Sequence, residues 1–197
     1  MLKRVAAATV LLVLFGITVY TVLENQKDSN SASSNENQNI SSSEGTGMTP
    51  PNAPEGLKVG EAMPDVELKT LDGETVQLSD FKGEKIFLNF WATWCPPCRV
   101  EMPEMQEFHE KYGDDVKIIA INATGTEKGV EKVKQFVEEN GYTFTILLDP
   151  KLKANTQFRA TALPTTYFIG SNGLIQAPRK VGPMTKSFME KKKDELK

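Results

Sequence analysis

Two short runs constrain the fold of this chain more than any other feature. KIFLNFW (Lys85–Trp91) and VKIIAIN (Val116–Asn122) are apolar almost without interruption. A strand of that kind needs cover on both faces, so it belongs at the buried centre of a sheet. Between them, Pro96–Tyr112 reads as a helix by the spacing of Val100, Met105 and Phe108, with Pro103 as the expected site of a kink.

The rest of the chain repeats this alternation. VELKTLDGETVQLSDF reads as a hairpin in which Val66, Leu68, Val76 and Leu78 alternate around a turn at Asp72-Gly73. Glu127–Asn140 is an amphipathic helix with Val130, Val133, Phe136 and Val137 on one face and Asn140-Gly141 at its end. FTILLD (Phe144–Asp149) is a third strand, and Leu152–Phe158 a short helix. TTYFIG and GLIQAP, split by Ser171-Asn172-Gly173, form an antiparallel pair, and Lys186–Leu196 closes the chain as a helix. The fold class is therefore α/β, a mixed central sheet with helices on both faces. In such sheets function gathers beyond the carboxyl ends of the central strands. The only two cysteines, Cys95 and Cys98, lie just past Trp91, at such an end.

Two segments precede this domain. Lys3 and Arg4 are followed by nineteen uncharged residues, Val5–Leu23, about enough to cross a bilayer as a helix. No small-x-small site closes the run, so an uncleaved anchor is favoured over a cleaved signal peptide, and no cysteine follows to take a lipid. Lys3 and Arg4 before the span place the N-terminus in the cytoplasm and everything after Leu23 outside. Residues 24–56 are rich in Ser, Asn, Gln, Glu, Gly and Pro, with Ile40 as the one branched aliphatic, and read as a flexible extracytoplasmic tether with a reach of roughly 30 Å. The expected organisation is an anchor at 1–23, a linker at 24–56 and a globular domain at 57–197. A net charge of −3, mixed along the chain, offers no basic face for nucleic acid. Nothing in the sequence suggests more than a monomer.

Four readings of C-P-P-C compete. A zinc site lacks ligands, since His109 is the only histidine. Covalent haem needs histidine where Arg99 stands. An inert disulfide would close a tiny loop and constrain little. A redox-active dithiol is the strongest reading. Residues three apart on a helix stack one above the other, within disulfide range. Cys95 at the helix start gains from free amides and the dipole and is the attacking sulfur. Cys98, one turn in, resolves the mixed disulfide. Pro96 and Pro97 suit the first helical turn, where a missing N–H costs nothing, and remove donors that would otherwise bond a sulfur.

W-C-x-x-C after a buried strand resembles thioredoxin, as does Ala162-Leu163-Pro164-Thr165-Thr166 before the strand YFIG. More narrowly, G-x-x-x-P-D (Gly60–Asp65), LNFWATWCPPC, Glu101-x-Pro103, the added helix near Glu127–Asn140 and LPTTYFI together resemble the TlpA/ResA-like membrane-anchored thiol-disulfide oxidoreductases. The resemblance implies a thioredoxin-like sheet with an N-terminal hairpin and an inserted helix. It also implies a cis proline at Pro164 whose neighbouring backbone receives a substrate strand. Trp94, Pro96, Leu163, Pro164 and Thr165 would form the substrate-binding face beside the catalytic Cys95 and Cys98. The implied activity is extracytoplasmic reduction of disulfides in partner proteins, as in cytochrome c maturation or spore-envelope assembly. A membrane electron donor of the CcdA/DsbD type would recharge the Cys95–Cys98 disulfide, with no metal or organic cofactor.

One departure from thioredoxin bears on mechanism. Asn89 stands where thioredoxin has a buried Asp, and an amide cannot take a proton from the resolving thiol. ResA-like members carry a Glu at the Glu101 position. Two readings of Glu101 stand: a proton carrier for Cys98, or a solvent-facing helical carboxylate. Trp91, Met102 and Met105 read as core, His109 as a solvated outer-face residue, Lys191–Lys193 as a solvated helix end, and Asp149 as a turn former. Three rival activities remain: a disulfide-forming oxidase, a peroxiredoxin-like peroxidase and a non-catalytic chaperone. Pro-Pro offers no polar group to stabilise the thiolate of a strong oxidant. Ala92 stands where a peroxidase carries Thr.

Overall fold

The computed structural model describes residues 55–197. The membrane-anchor and linker readings at 1–23 and 24–56 lie outside the described residues, apart from the last two of the linker. Among the described residues, no helix is long and apolar enough to cross a membrane.

The strands are β1 (Glu67–Thr70), β2 (Thr75–Gln77), β3 (Ile86–Trp91), β4 (Lys117–Asn122), β5 (Thr145–Leu148), β6 (Thr165–Ile169) and β7 (Ile175–Val181). The helices are α1 (Pro96–Tyr112), α2 (Val130–Asn140), α3 (Lys153–Gln157) and α4 (Lys186–Glu195). They build one seven-stranded sheet in the order β2-β1-β5-β4-β3-β6-β7. β3, β4 and β5 run parallel, and the pairs β1/β2, β1/β5, β3/β6 and β6/β7 run antiparallel. This is the mixed sheet with a leading hairpin that the pattern predicts, in the arrangement that the resemblance implies. Every residue of β3 is buried, as its unbroken apolar run requires.

Alternate residues of β3 feed two cores. Phe87 and Trp91 join Met102, Met105 and Phe108 of α1, Val133 and Val137 of α2 and Met189 of α4 on one face. Ile86, Leu88 and Phe90 join Val66, Leu78, Ala154, Phe158 and Tyr167 on the other. Helices thus cover both faces unevenly: three long ones on the first, the short α3, a 3-10 turn at Leu78–Phe81 and the segment entering β1 on the second.

Several local expectations change. The helix expected from Glu127 begins at Val130, because Thr124–Thr126 forms a 3-10 turn and Gly129 at φ +133° cannot be helical. Its end is as expected, with Gly141 left-handed at φ +67°. β7 runs on past Pro178 to Val181; an edge strand tolerates proline. Val100 is 69% exposed rather than core, since the buried stripe runs Cys98, Glu101, Met102, Met105, Phe108, and Val100 lies about 200° around from Cys98. His109 is half-buried with its ring edge against Phe144, centroids 6.2 Å apart, so it is not a free surface residue. Lys192 and Lys193 reach Glu195 and Asp194 and lie over the Phe188 and Tyr112 rings rather than free in solvent.

Candidate active site

The site forms where β3 hands the chain to α1. Cys95 is the N-cap of α1 and Pro96 and Pro97 fill its first two positions, as the sequence predicts. Cys95 and Cys98 are joined in a disulfide with Cα atoms 5.3 Å apart. Cys98 is fully buried, while Cys95 keeps 3% of its surface and lines an open groove of about 470 Å³. Because prolines lack N–H, the one first-turn amide bonded to Cys95 Sγ is that of Cys98, at 3.3 Å.

The loop before Cys95 is held by the β4–α2 connection. The Thr93 N–H and hydroxyl donate to Glu127 Oε1 and Oε2 at 2.7 and 2.6 Å, and Asn122 Nδ2 donates to Oε1 at 3.1 Å. The Trp94 indole N–H donates to Thr126 Oγ1 at 3.0 Å, which in turn donates to Ala123 O at 2.7 Å. Trp94 therefore stands 55% exposed yet fixed in direction. Trp94, Pro96 and Leu163 come together with Cys95 in the groove, joined by Leu152 and Thr161, and among the described residues no charged side chain lines it.

The Leu163–Pro164 bond is cis, as the resemblance implies. Leu163 lines the groove, and among the described residues none hydrogen-bonds its N–H or C=O. Pro164 is buried beneath it, its carbonyl accepting from Gly182 N–H at 2.9 Å. Thr165 is also buried, in β6, its hydroxyl turned to Ala162 O at 2.7 Å, so its side chain is not part of the groove surface.

Glu101 decides between its two readings by position. It is 0% exposed, three residues beyond Cys98 on the buried stripe of α1. Asn89 Nδ2 donates to its Oε1 at 2.7 Å and the Met184 N–H to its Oε2 at 3.0 Å. Burial pushes its carboxyl up from 4.5 to about 8, against the opposing pull of Asn89, Met184 and the Lys180 charge. The solvent-facing reading fails. Asp149 is buried as well, accepting from the Lys153 and Asn155 N–H groups at 2.7 and 2.9 Å, and it caps the start of α3 rather than entering the groove. Among the described residues no group of three or more His, Cys, Asp or Glu is placed to hold a metal ion.

Sequence reasoning missed Glu127 and Thr126, although polar residues just past β4, beside the site, were a signal. It also missed Met184, which reaches Glu101 from 83 positions away and left no local trace.

Comparison with known proteins follows the same lines. Residues 59–177 match the AhpC/TSA family. The chain is 45% identical over 139 residues to thioredoxin-like protein YneN of Bacillus subtilis, covering 71% of this chain and 81% of that one. It is 35% identical over 174 residues to thiol-disulfide oxidoreductase ResA of Oceanobacillus iheyensis, covering 86% and 77%. Among solved structures, StoA from Bacillus subtilis superposes with a TM-score of 0.59 at 32% identity, over 66% of this chain and 96% of that one.

Proposed function

Because this chain belongs to the AhpC/TSA family and, within it, to the ResA-like thiol-disulfide oxidoreductases, we propose that it reduces disulfides in partner proteins through Cys95 and Cys98. The reading rests on one observation above all: a sulfur at a helix start, bonded to a buried partner sulfur, opens into a groove lined, among the described residues, by uncharged side chains and bordered by Leu163 backbone that none of them hydrogen-bonds.

The Cys95 thiolate attacks a substrate disulfide. One substrate sulfur leaves as a thiolate, which takes a proton from solvent, and the other stays bound to Cys95. Cys98 then gives up its proton, attacks Cys95 Sγ and expels the second substrate sulfur as a thiolate, which takes a proton from solvent, leaving the Cys95–Cys98 disulfide. Glu101, one helical turn beyond Cys98, takes that proton. An extended substrate segment lies in the groove against Trp94, Pro96 and Leu163, pairing with the Leu163 backbone, while cis Pro164 and Thr165 hold that backbone from beneath. Two electrons and two protons from a membrane donor of the CcdA/DsbD type restore the dithiol. The N-terminal run at Val5–Leu23 anchors a monomeric domain on the extracytoplasmic face of the cell membrane, where cytochrome c maturation or spore-envelope assembly supplies the substrates.

The direction of electron flow follows from the prolines. Strong oxidants stabilise the reduced, thiolate form. Here two of the first-turn amides that would do so are absent, and Cys95 Sγ meets one amide. The reduction potential tests this. Full-length protein is equilibrated in dithiothreitol buffers and read by tryptophan fluorescence. A value near thioredoxin's, about −270 mV, supports a reductant; one near DsbA's, about −120 mV, makes it an oxidase. Peroxide consumption that depends on Cys95 would instead make it a peroxidase, against Ala92 in the position where that chemistry needs Thr. Full function in cells after changing both cysteines to Ser would make it a chaperone.

A further inference from the structure

Asn89 sits at the centre of β3, fully buried, in a strand otherwise built of apolar residues. Its Nδ2 donates to Glu101 Oε1 at 2.7 Å and to Thr166 Oγ1 at 2.9 Å. Its Oδ1 is buried with no partner among the described residues. A buried amide oxygen without a donor is costly, and a strand position flanked by Leu88 and Phe90 would take an apolar residue at no such cost.

The arrangement makes sense once Glu101 changes its protonation state. Both groups that reach its oxygens, Asn89 Nδ2 and the Met184 N–H, are donors. They suit a carboxylate. A carboxylic acid carries one O–H, which then faces a donor and needs an acceptor. The Met184 N–H is backbone and cannot reverse. The Asn89 side chain can: a half-turn of its amide puts Oδ1 where Nδ2 was, beside both Glu101 Oε1 and Thr166 Oγ1, and puts Nδ2 where Oδ1 was, so one end of the amide is without a described partner in either state and the turn is decided at the Glu101 end. The Thr166 hydroxyl follows at little cost, because it accepts from Nδ2 in one state and donates to Oδ1 in the other.

We propose that Asn89 is the positioning residue for the Glu101 proton, its amide turning over as Glu101 gains and loses that proton during release of substrate by Cys98. The inference rests on the proton-carrying role of Glu101 proposed above. In balanced form, Cys98 S–H and the Glu101 carboxylate become the Cys98 thiolate and the Glu101 carboxylic acid. Asn89 Oδ1 then accepts from the new O–H. When Glu101 gives the proton up, Nδ2 returns to the carboxylate. No charge is created at Asn89 in either state. An Asp there would place a second acid 2.7 Å from Glu101 and disfavour the ionised form of both. Among the described residues the carboxyl is bonded by Asn89 on β3 and the Met184 N–H before α4, feels the charge of Lys180 on β7, and lies one helical turn from Cys98 on the buried face of α1; Thr166 on β6 meets Asn89. Of these Lys180 carries the fixed charge, and it favours the ionised form without offering an acceptor.

The test is a pH titration of the wild-type, full-length protein, isotope-labelled for NMR. The Glu101 carboxyl carbon and the Asn89 side-chain amide are followed together. Both signals are expected to move with one midpoint. Nuclear Overhauser contacts between the Asn89 amide hydrogens and the Thr166 methyl, present above it, are expected to weaken below it. If Glu101 titrates while the Asn89 contacts stay unchanged, the amide is fixed and the proposal is overturned. A kinetic arm asks the same of function. Asn89→Leu is expected to slow Cys98-dependent release of a mixed disulfide about tenfold or more, the worth of a hydrogen bond to an ionised group. In a Glu101→Gln background it is expected to add nothing further. Equal slowing in both backgrounds would assign Asn89 a merely structural role and overturn the proposal. Should Asn89→Leu fail to fold, the wild-type titration decides alone. If the wild-type protein fails to exchange disulfides at all, the proposed function falls, and the coupled movement of Asn89 and Glu101 is still read directly.

Discussion

Replacing Glu101 by Gln should flatten the dependence of stability on pH across the neutral range. In the unfolded chain this carboxyl loses its proton at its ordinary value of 4.5; in the fold, burial holds the proton until about 8. Between those values the native state binds one more proton than the unfolded state. Stability contributed by the group is therefore fully present below pH 4.5, falls as pH rises and is gone above about 8. The slope is about 1.4 kcal/mol per pH unit, and the whole window amounts to at most about 5 kcal/mol. His109 works in the opposite sense, since burial lowers its value and favours the neutral ring in the fold. Subtracting the variant from the wild type removes that contribution, because His109 is present in both. The assay is urea unfolding of the oxidised full-length protein, wild type and Glu101→Gln, from about pH 5.5 to pH 8. The difference in unfolding free energy should change by about 1 kcal/mol or more per pH unit, with the wild type losing ground as pH rises. Parallel curves would mean that Glu101 titrates as an ordinary surface carboxylate, and its role as proton carrier would go with it.

Glu127→Ala should cost about 1–3 kcal/mol, because it strips the acceptor from two donors of Thr93 and from Asn122 Nδ2; hydrogen exchange at the Thr93 amide should rise with it, and unchanged exchange would show that the loop is held elsewhere. Cys98→Ser should accumulate a mixed disulfide on Cys95, seen by non-reducing electrophoresis, whereas Cys95→Ser should form none; the reverse pattern would exchange the two sulfur roles. Val100→Lys, at a position 69% exposed on α1, should shift stability by less than about 0.5 kcal/mol, and a larger loss in thermal unfolding would mean that the residue is covered.

What was legible in the sequence was whatever depends on near neighbours. β3 and β4 announce themselves because burial on both faces demands unbroken apolar runs. The start of α1 is equally plain, since Cys95, Pro96 and Pro97 are in sequence what they are in space. The β1–β2 hairpin follows from alternation around Asp72-Gly73. Less legible were features fixed by distant partners. Val100 and Glu101 are adjacent, and helical spacing groups Val100 with Met105 and Phe108 and gives Glu101 no place among them; the stripe that covers Glu101 and leaves Val100 outside is set by how α1 lies on the sheet. The start of α2 was misplaced for a related reason: Glu127 looks like a first-turn helical acid, but its carboxylate is taken by Thr93 and Asn122. Thr165 sits next to the cis proline in sequence, but its place in β6 buries it between β3 and β7.

The raised value of Glu101 also explains why a carboxyl serves at this position at all. An ordinary thiol ionises near about 8.5 and an ordinary carboxyl near about 4.3. Proton transfer between two such groups is uphill by roughly four pH units, or about 5–6 kcal/mol, a heavy addition to the barrier for a resolving thiol. A carboxyl held at about 8 stands within a unit of an ordinary thiol, which removes most of that uphill step. Burial alone would hold the value higher still. The two donors, Asn89 Nδ2 and the Met184 N–H, bring the value back into range by bonding the ionised form. Removing the Asn89 donor should therefore slow release of a mixed disulfide, followed at neutral pH, by raising the fraction of Glu101 already protonated when Cys98 must give up its proton.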